Sequence, residues 1–413
     1  MIAEQRVIDV MNAIPWDNSF IKNYVGMHYE RTDAPLAYAL GGALSLLSSN
    51  AHEDLCVYFG GRVNANLWML YIGPSGWSRK STSVNIARDL QNVVNPGRVG
   101  TDPGSVQGLL KSVASAPVQT LYIEELGDFL SQTAEAGYAK PLRENLVRLY
   151  DGNPYNKVFS ETVYTIDKPR VSINAGVTEQ YLEQFTAAND WEGGLMGRWS
   201  PMAGRPERYM AMPARRQDLF DHCASQLEWI GSKLAVACGG LEDDAIPFWN
   251  TWSGMIQKMS ITHPDQWVSA AGARIQTFAA RAAMLLCLDA GMDLSRPWKM
   301  PLVILKIAIE IAHMFYDSLV YVVGELCSTK FARERRTVLR TFQRVKLREE
   351  RELLTLKDIL LFASPRMELR AVKRVLETLL AEESVFLRAG GAYSLYAPTE
   401  EETKVVEATR NIL

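Results

Sequence analysis

Cysteine is scarce and scattered in this chain of 413 residues. The five cysteines, Cys56, Cys223, Cys238, Cys287 and Cys327, never fall in C-x-x-C spacing. An odd, dispersed set argues against a disulfide framework and for reduced thiols in a cytoplasmic protein. The five histidines are dispersed as well, which leaves no metal constellation to read from spacing. An excess of one charge is also lacking: 44 Lys and Arg face 47 Asp and Glu, a net charge of −3. No global basic field advertises nucleic acid, so any such contact must be local. Long apolar runs are missing too. The most apolar stretch, 301–323, is broken by Lys306, Glu310, His313 and Asp317, three or four residues apart. That spacing predicts an amphipathic core helix and no membrane span. The first residues carry no basic segment followed by an apolar one, so no signal peptide is expected. Repeats and low-complexity tracts are absent.

What is present reads as an α/β protein. Residues 1–65 are expected to be helical, with "APLAYALGGALSLLSS" packing on the next segment. Residues 66–216 change texture. The short apolar runs "LWMLYI", "VQTLYI" and "RVSINAGV" predict buried strands, separated by helical spacing such as Val84, Ala87, Leu90 and Val94. Strands alternating with helices imply a mainly parallel sheet. "VFSETVYTI" alternates like an exposed strand or hairpin. Residues 217–330 read as helices only, forming a bundle or lid. Residues 331–413 form a basic helix followed by helix, helix and hairpin, an order that resembles a winged helix. Within them, 331–374 hold thirteen Lys/Arg against six Asp/Glu.

The chemistry begins at "GPSGWSRKST", Gly73 to Thr82. A phosphate loop closes a strand with a tight turn whose amides point inward. A lysine reaches the terminal phosphates, and a Ser or Thr hydroxyl holds Mg2+. Gly73, Pro74, Ser75, Gly76, Trp77, Ser78, Arg79, Lys80, Ser81 and Thr82 follow that order with a deviation. Gly73 to Lys80 is seven positions where the usual loop has six. Either one residue is inserted or Pro74 takes the first glycine's place. In both alignments Arg79 replaces the glycine before the lysine, at a cost of about 1 kcal/mol if the backbone there is left-handed.

"LYIEEL" ends the second strand in Glu124 and Glu125. In a nucleotide hydrolase the first acid supports the Mg2+ shell and the second orients the attacking water. Asn174, at the expected end of the third strand, is a candidate sensor of the γ-phosphate. Arg198 in "GGLMGRWSP" is a candidate finger reaching a neighbouring subunit's ATP, and Arg274 and Arg281 are candidates to face the nucleotide as a second sensor.

Taken together, "TDAPLAYALGGALSLLSS", "GPSGWSRKSTSVNIA", "LYIEELGDFL", "LVRLYDGNPY", "RVSINAGVTEQYLEQF" and "GGLMGRWSP" resemble a family of P-loop ATPases known only as a domain of unknown function. That domain occurs in phage, prophage and plasmid proteins, often beside primase-type modules. The resemblance runs from about Asp17 to Tyr321. It implies a P-loop NTPase core of the additional-strand, RecA/AAA+-like kind, with ATP held by Lys80 and Ser81, an acidic pair at Glu124 and Glu125, and an arginine at Arg198. By analogy with replicative helicases it also implies a ring, expected to be a hexamer, that moves on single-stranded or forked DNA.

Candidate phosphate-backbone contacts are Lys157, Lys168 and Arg170 on the expected hairpin. Others are Arg336, Arg340 and Arg344 on one face of the basic helix, and Arg370, Lys373 and Arg374 on the helix that would read DNA in a winged helix. The bland alternative for each is a solvated surface. The reading is therefore an ATP-hydrolysing motor on DNA, a replicative helicase of a phage or mobile element working with a separate primase. The rival is an ATP-dependent assembly switch, a loader or regulator that recruits a partner without unwinding.

Overall fold

The computed structural model describes residues 1–59, 61–100, 104–134, 140–159, 162–185, 194–233, 238–262, 268–269, 272–323, 330–363, 366–388 and 391–397. The chain divides into two compact units, Met1–Leu326 and Cys327–Leu413.

The first unit is built on a five-stranded sheet in the order β4-β5-β8-β3-β9, with every pairing parallel. Its strands are β3 (Trp68–Ile72), β4 (Val99–Gly100), β5 (Val118–Ile123), β8 (Arg170–Val177) and β9 (Trp199–Ala203). In β3, β8 and β9 every residue is buried, and β5 is buried from its second residue on. Strands covered on both faces need side chains that avoid water in both directions, which is why their sequences are largely apolar, with the few polar side chains buried. Helix α3 (Leu36–Asn50), in which all residues are buried, lies on one face. Its small residues permit close approach: a Cβ on Gly41 would sit 2.7 Å from Met69 Cε and 2.8 Å from Tyr71 Cε1. Helices α2 (Phe20–Arg31) and α4 (Lys80–Val94) complete that layer.

The segments 1–65, 66–216 and 217–330, distinct in sequence texture, share one hydrophobic cluster, running from Val7 and Tyr38 through Met69 to Leu285 and Phe315. The sequence pattern predicts no strand between 217 and 330, and the structure corrects this. Cys238–Leu241 (β10) and Lys299–Met300 (β11) join β1 (Cys56–Tyr58) and β2 (Arg62–Asn64) in a second sheet, ordered β11-β10-β1-β2. Strands of two to four residues contain too few alternations to register as a pattern. The expected hairpin forms: β6 (Tyr155–Phe159) pairs antiparallel with β7 (Thr162–Ile166). No helix among the described residues is long and apolar enough to cross a membrane.

The second unit has its own core of Val338, Phe342, Ile359, Val372, Leu376 and Leu379. It contains helices Lys330–Glu349, Leu356–Phe362 and Leu369–Ala381, then antiparallel strands β12 (Phe386–Leu387) and β13 (Tyr393–Ser394). Between these two strands Gly390 lies outside the described residues, and Gly391 has φ +76°.

Candidate functional site

Strand β3 lies between β8 and β9 and delivers the chain into Gly73 at the sheet's C-terminal edge. The loop entrance is fastened there. The Tyr38 hydroxyl bonds Ile72 O at 2.6 Å and Gly204 O at 3.1 Å, and Gly204 N donates to Ile72 O at 3.1 Å. Gly73 is required sterically, because a Cβ would meet Tyr38 Oη at 2.6 Å and Gly204 O at 2.9 Å. Gly76 turns the loop with φ +73°, and Arg79 ends it at φ 54°, ψ 30°. Lys80 is then the first residue of α4. Its Nζ donates to Gly73 O at 3.0 Å, Pro74 O at 3.1 Å and Ser78 Oγ at 3.2 Å, and Ser78 Oγ donates to Pro74 O at 2.8 Å. The loop is thus wrapped around the ammonium group. No side chain caps α4, whose first turn closes with Ser83 N to Arg79 O at 3.0 Å. An uncapped helix start next to an enclosed lysine is chemically suited to an oxyanion. Ser75, Gly76, Trp77, Ser81 and Thr82 are exposed around it.

Arg79 occupies the left-handed backbone position that favours glycine. Its side chain turns to the α2–α3 connection and donates from Nε to Asp33 Oδ1 at 2.9 Å. Burial by itself raises the Asp33 carboxyl. The Arg79 hydrogen bond and the Met210 amide outweigh it and hold the group below its ordinary range.

The acids that follow β5 diverge. Glu125 is in electrostatic reach of Lys80 and accepts from Gly127 N at 3.3 Å. Burial raises its pKa despite those partners. Glu124 points to α4, where Arg88 Nη1 lies 3.3 Å from its Oε1. Burial lowers the Lys80 pKa, while Glu125 and Glu179 oppose that shift. Glu179 is a third carboxylate that the sequence reading missed. It opens α8 (Glu179–Phe185) directly after β8 and accepts from the Tyr321 hydroxyl at 2.7 Å. The signal was its place in "VTEQ", where a polar pair ends an apolar strand. Thr178, the other half of that pair, lies beside Glu125, which takes a hydrogen bond from its backbone.

Asn174 departs from expectation. It is fully buried inside β8, level with Met69 and Tyr122, three residues before the strand ends at Val177. The polar residue at that edge is Thr178, because β8 continues through Ala175, Gly176 and Val177.

Arg198 stands immediately before β9, at the N-terminal edge of the sheet and therefore opposite the loop. It is buried, with Nη2 at 2.9 Å and 3.1 Å from the two Asp151 carboxylate oxygens. Arg274 and Arg281 do not face the loop of their own chain. They gather at the same edge, around Tyr150. The physical reason is register: Trp68 starts β3 opposite Trp199, and its ring meets Tyr150 at 4.8 Å.

Among the basic residues expected on nucleic-acid surfaces, Arg170 is instead interior. Its Nη1 bonds Pro169 O at 2.9 Å and Gly152 O at 3.3 Å, and burial lowers its pKa to about 10. Lys168 pairs with Asp54 at 3.0 Å, and Lys157 reaches Asn145 Oδ1 at 3.2 Å. In the second unit Arg344 bonds Phe362 O and Arg374 bonds Glu334. Arg340, Arg370 and Lys373 are exposed, and Arg336 lies on the same helix as Arg340. Among the described residues no group of three or more His, Cys, Asp or Glu side chains is placed to hold a metal ion. No family model matches the chain, and no curated protein matches its sequence.

Proposed function

We propose that residues 73–82 bind the phosphates of ATP and that the chain is an ATP-hydrolysing, oligomeric motor on DNA, a helicase of a phage or mobile element. The observation that carries the reading is strand order. β8 lies between the loop strand β3 and the acidic strand β5, so Lys80 and Glu125 meet over one sheet edge although 45 residues apart. This order supports an additional-strand phosphate-loop core of the RecA/AAA+-like kind.

In this reading the loop oxygens now around Lys80 Nζ give way to β- and γ-phosphate oxygens, and the open start of α4 receives the charge. Glu125 is half-buried with a raised pKa, which suits it to accept hydrogen bonds from an attacking water near neutral pH. The Ser81 hydroxyl and the Glu124 carboxylate are the groups that would hold Mg2+, which would offset phosphate charge. Arg198 faces away from its own loop, so it serves a nucleotide only on a neighbouring copy.

Lys80→Ala is expected to weaken ATP binding on the order of a hundredfold, as loss of a charged hydrogen-bonding group implies. Glu125→Gln should retain binding and lose turnover. Isothermal titration and phosphate release measure the two. Wild-type turnover in both variants sinks the mechanism. Turnover stimulated by single-stranded DNA, in a species of hexamer mass, supports the motor. Slow turnover by a monomer indifferent to DNA moves the assignment to an assembly switch.

A further inference from the structure

The second sheet brings together two thiols that lie some 180 residues apart in the chain. Cys56 in β1 and Cys238 in β10 are direct partners in a parallel pairing, and Val57 and Gly239 follow in the same register. Strands so paired lie about 4.8 Å apart, and their paired residues point to one face. That spacing falls inside the Cα separation of about 4.4–6.8 Å that a disulfide spans. The two side chains already meet, since the Cys238 thiol shares a hydrogen bond with that of Cys56. They differ in access: Cys56 is buried and Cys238 is exposed. Strand β10 has little freedom to carry its cysteine away. A Cβ on Gly239 would run into the Trp298 ring, Gly240 N donates to Trp298 O at 3.1 Å, and Glu242 N donates to Met300 O at 3.1 Å. On the other side β2 holds β1, with Asn64 opposite Cys56.

Two thiols held in register turn the closing step of a thiol–disulfide exchange into a unimolecular one. We propose that Cys56 and Cys238 form a site of reversible oxidation, closed by a small-molecule disulfide, and that the bond latches the connection between α3 and β3 to strand β10. Cys238 gives its proton to solvent and its sulfur attacks one sulfur of the reagent, which forms a mixed disulfide and expels one thiolate. Cys56 passes its proton to that thiolate and attacks the Cys238 sulfur. The second thiolate leaves and takes up the solvent proton. One S–S bond of the reagent is broken and one is formed in the protein, and two electrons leave the cysteines in the two thiols released. Burial, then the neighbouring Cys56 thiol, raise the Cys238 thiol to about 11 against the pull of Arg62. The attacking thiolate is therefore scarce at neutral pH, and the exchange is slow. The site needs neither the phosphate loop nor a nucleotide, so it stands apart from the function proposed above.

The probe is oxidised glutathione, incubated overnight with the full chain at mildly alkaline pH, where more of the thiol is ionised. Remaining thiols are blocked with N-ethylmaleimide and the peptides are mapped by mass spectrometry. A linked Cys56–Cys238 peptide is expected, cleaved again by dithiothreitol. In circular dichroism melts the linked protein should unfold about 5 °C above the reduced one, because closing a loop of some 180 residues restrains the unfolded chain. Cys238→Ser, a change at an exposed side chain, should remove both the linked peptide and the shift while melting like the reduced protein. Cys238 left unreacted, or carrying glutathione with no linked peptide, overturns the proposal. So does a linked peptide that forms only above the melting transition, where the strands have parted. A linked protein that melts no higher than the reduced one overturns the latch.

Discussion

A left-handed arginine costs about 1 kcal/mol relative to glycine, and Asp33 supplies the compensation at Arg79. The pair is fastened at 2.9 Å, with Asp33 nearly buried and Arg79 44% exposed on its side chain. Solvent screening on the arginine side limits the coupling to about 1 kcal/mol. A double-mutant cycle of Asp33→Ala and Arg79→Gly, read by thermal melts, should show that coupling. Because Arg79 turns away from the loop interior, Arg79→Gly alone should leave ATP affinity within about twofold. A larger loss would place the guanidinium on the phosphates instead. His28 offers a second test at this scale. Burial, then the Arg208 and Arg31 cations, lower its pKa from 6.5 to about 3, while Nε2 lies 3.1 Å from Ser83 Oγ. The native state stays neutral where the unfolded chain takes a proton. The contribution of His28 to stability is therefore complete above pH 6.5 and declines as pH falls toward 3. The slope is about 1.4 kcal/mol per pH unit. In His28→Gln that part of the slope between pH 6 and 4 should vanish, measured by urea unfolding; an identical pH profile would refute the shift.

At the scale of elements, β8 is the wedge that separates the loop from the acids while keeping them close. Gly176 makes this possible: a Cβ there would sit 2.8 Å from Glu124 O and 3.0 Å from Lys80 Cβ. The first of these is backbone and cannot swing aside. Gly176→Ala should therefore destabilise the protein by about 1–3 kcal/mol and weaken ATP binding more than Gly26→Ala, where a Cβ meets nothing within 4 Å. Equal effects would show that the contact is not a constraint. Elements of this kind were legible in the chain. β3, β5 and β8 announce themselves because strands buried on both faces are mostly apolar. β10 and β11 did not, since their place in the second sheet depends on β1, some 180 residues away from Cys238.

For the whole molecule, the separate core of the second unit implies separate stability. Val338, Phe342 and Leu376 pack with residues of that unit, and a Thr355–Asp358 capping box starts its second helix. A fragment of residues 327–413 should fold alone, with a cooperative melt by circular dichroism. A fragment without a transition would show that the core needs the rest of the chain. The first unit should not divide in the same way, since helices 1–50 and 275–321 share one hydrophobic cluster with β3.

By itself the sequence determined the local elements, the loop from Gly73 to Thr82, the acids after β5 and the helix–helix–hairpin order of the tail. Each of these follows from periodicity, turn chemistry or burial within a short window. Only the tertiary structure decided which polar groups meet. It turned Arg79 to Asp33, brought Glu125 and Glu179 toward Lys80, enclosed Asn174 within β8, and gathered Arg198, Arg274 and Arg281 at the opposite edge. Those pairings join residues tens to more than a hundred positions apart. They depend on strand order and register, which no short window of sequence contains.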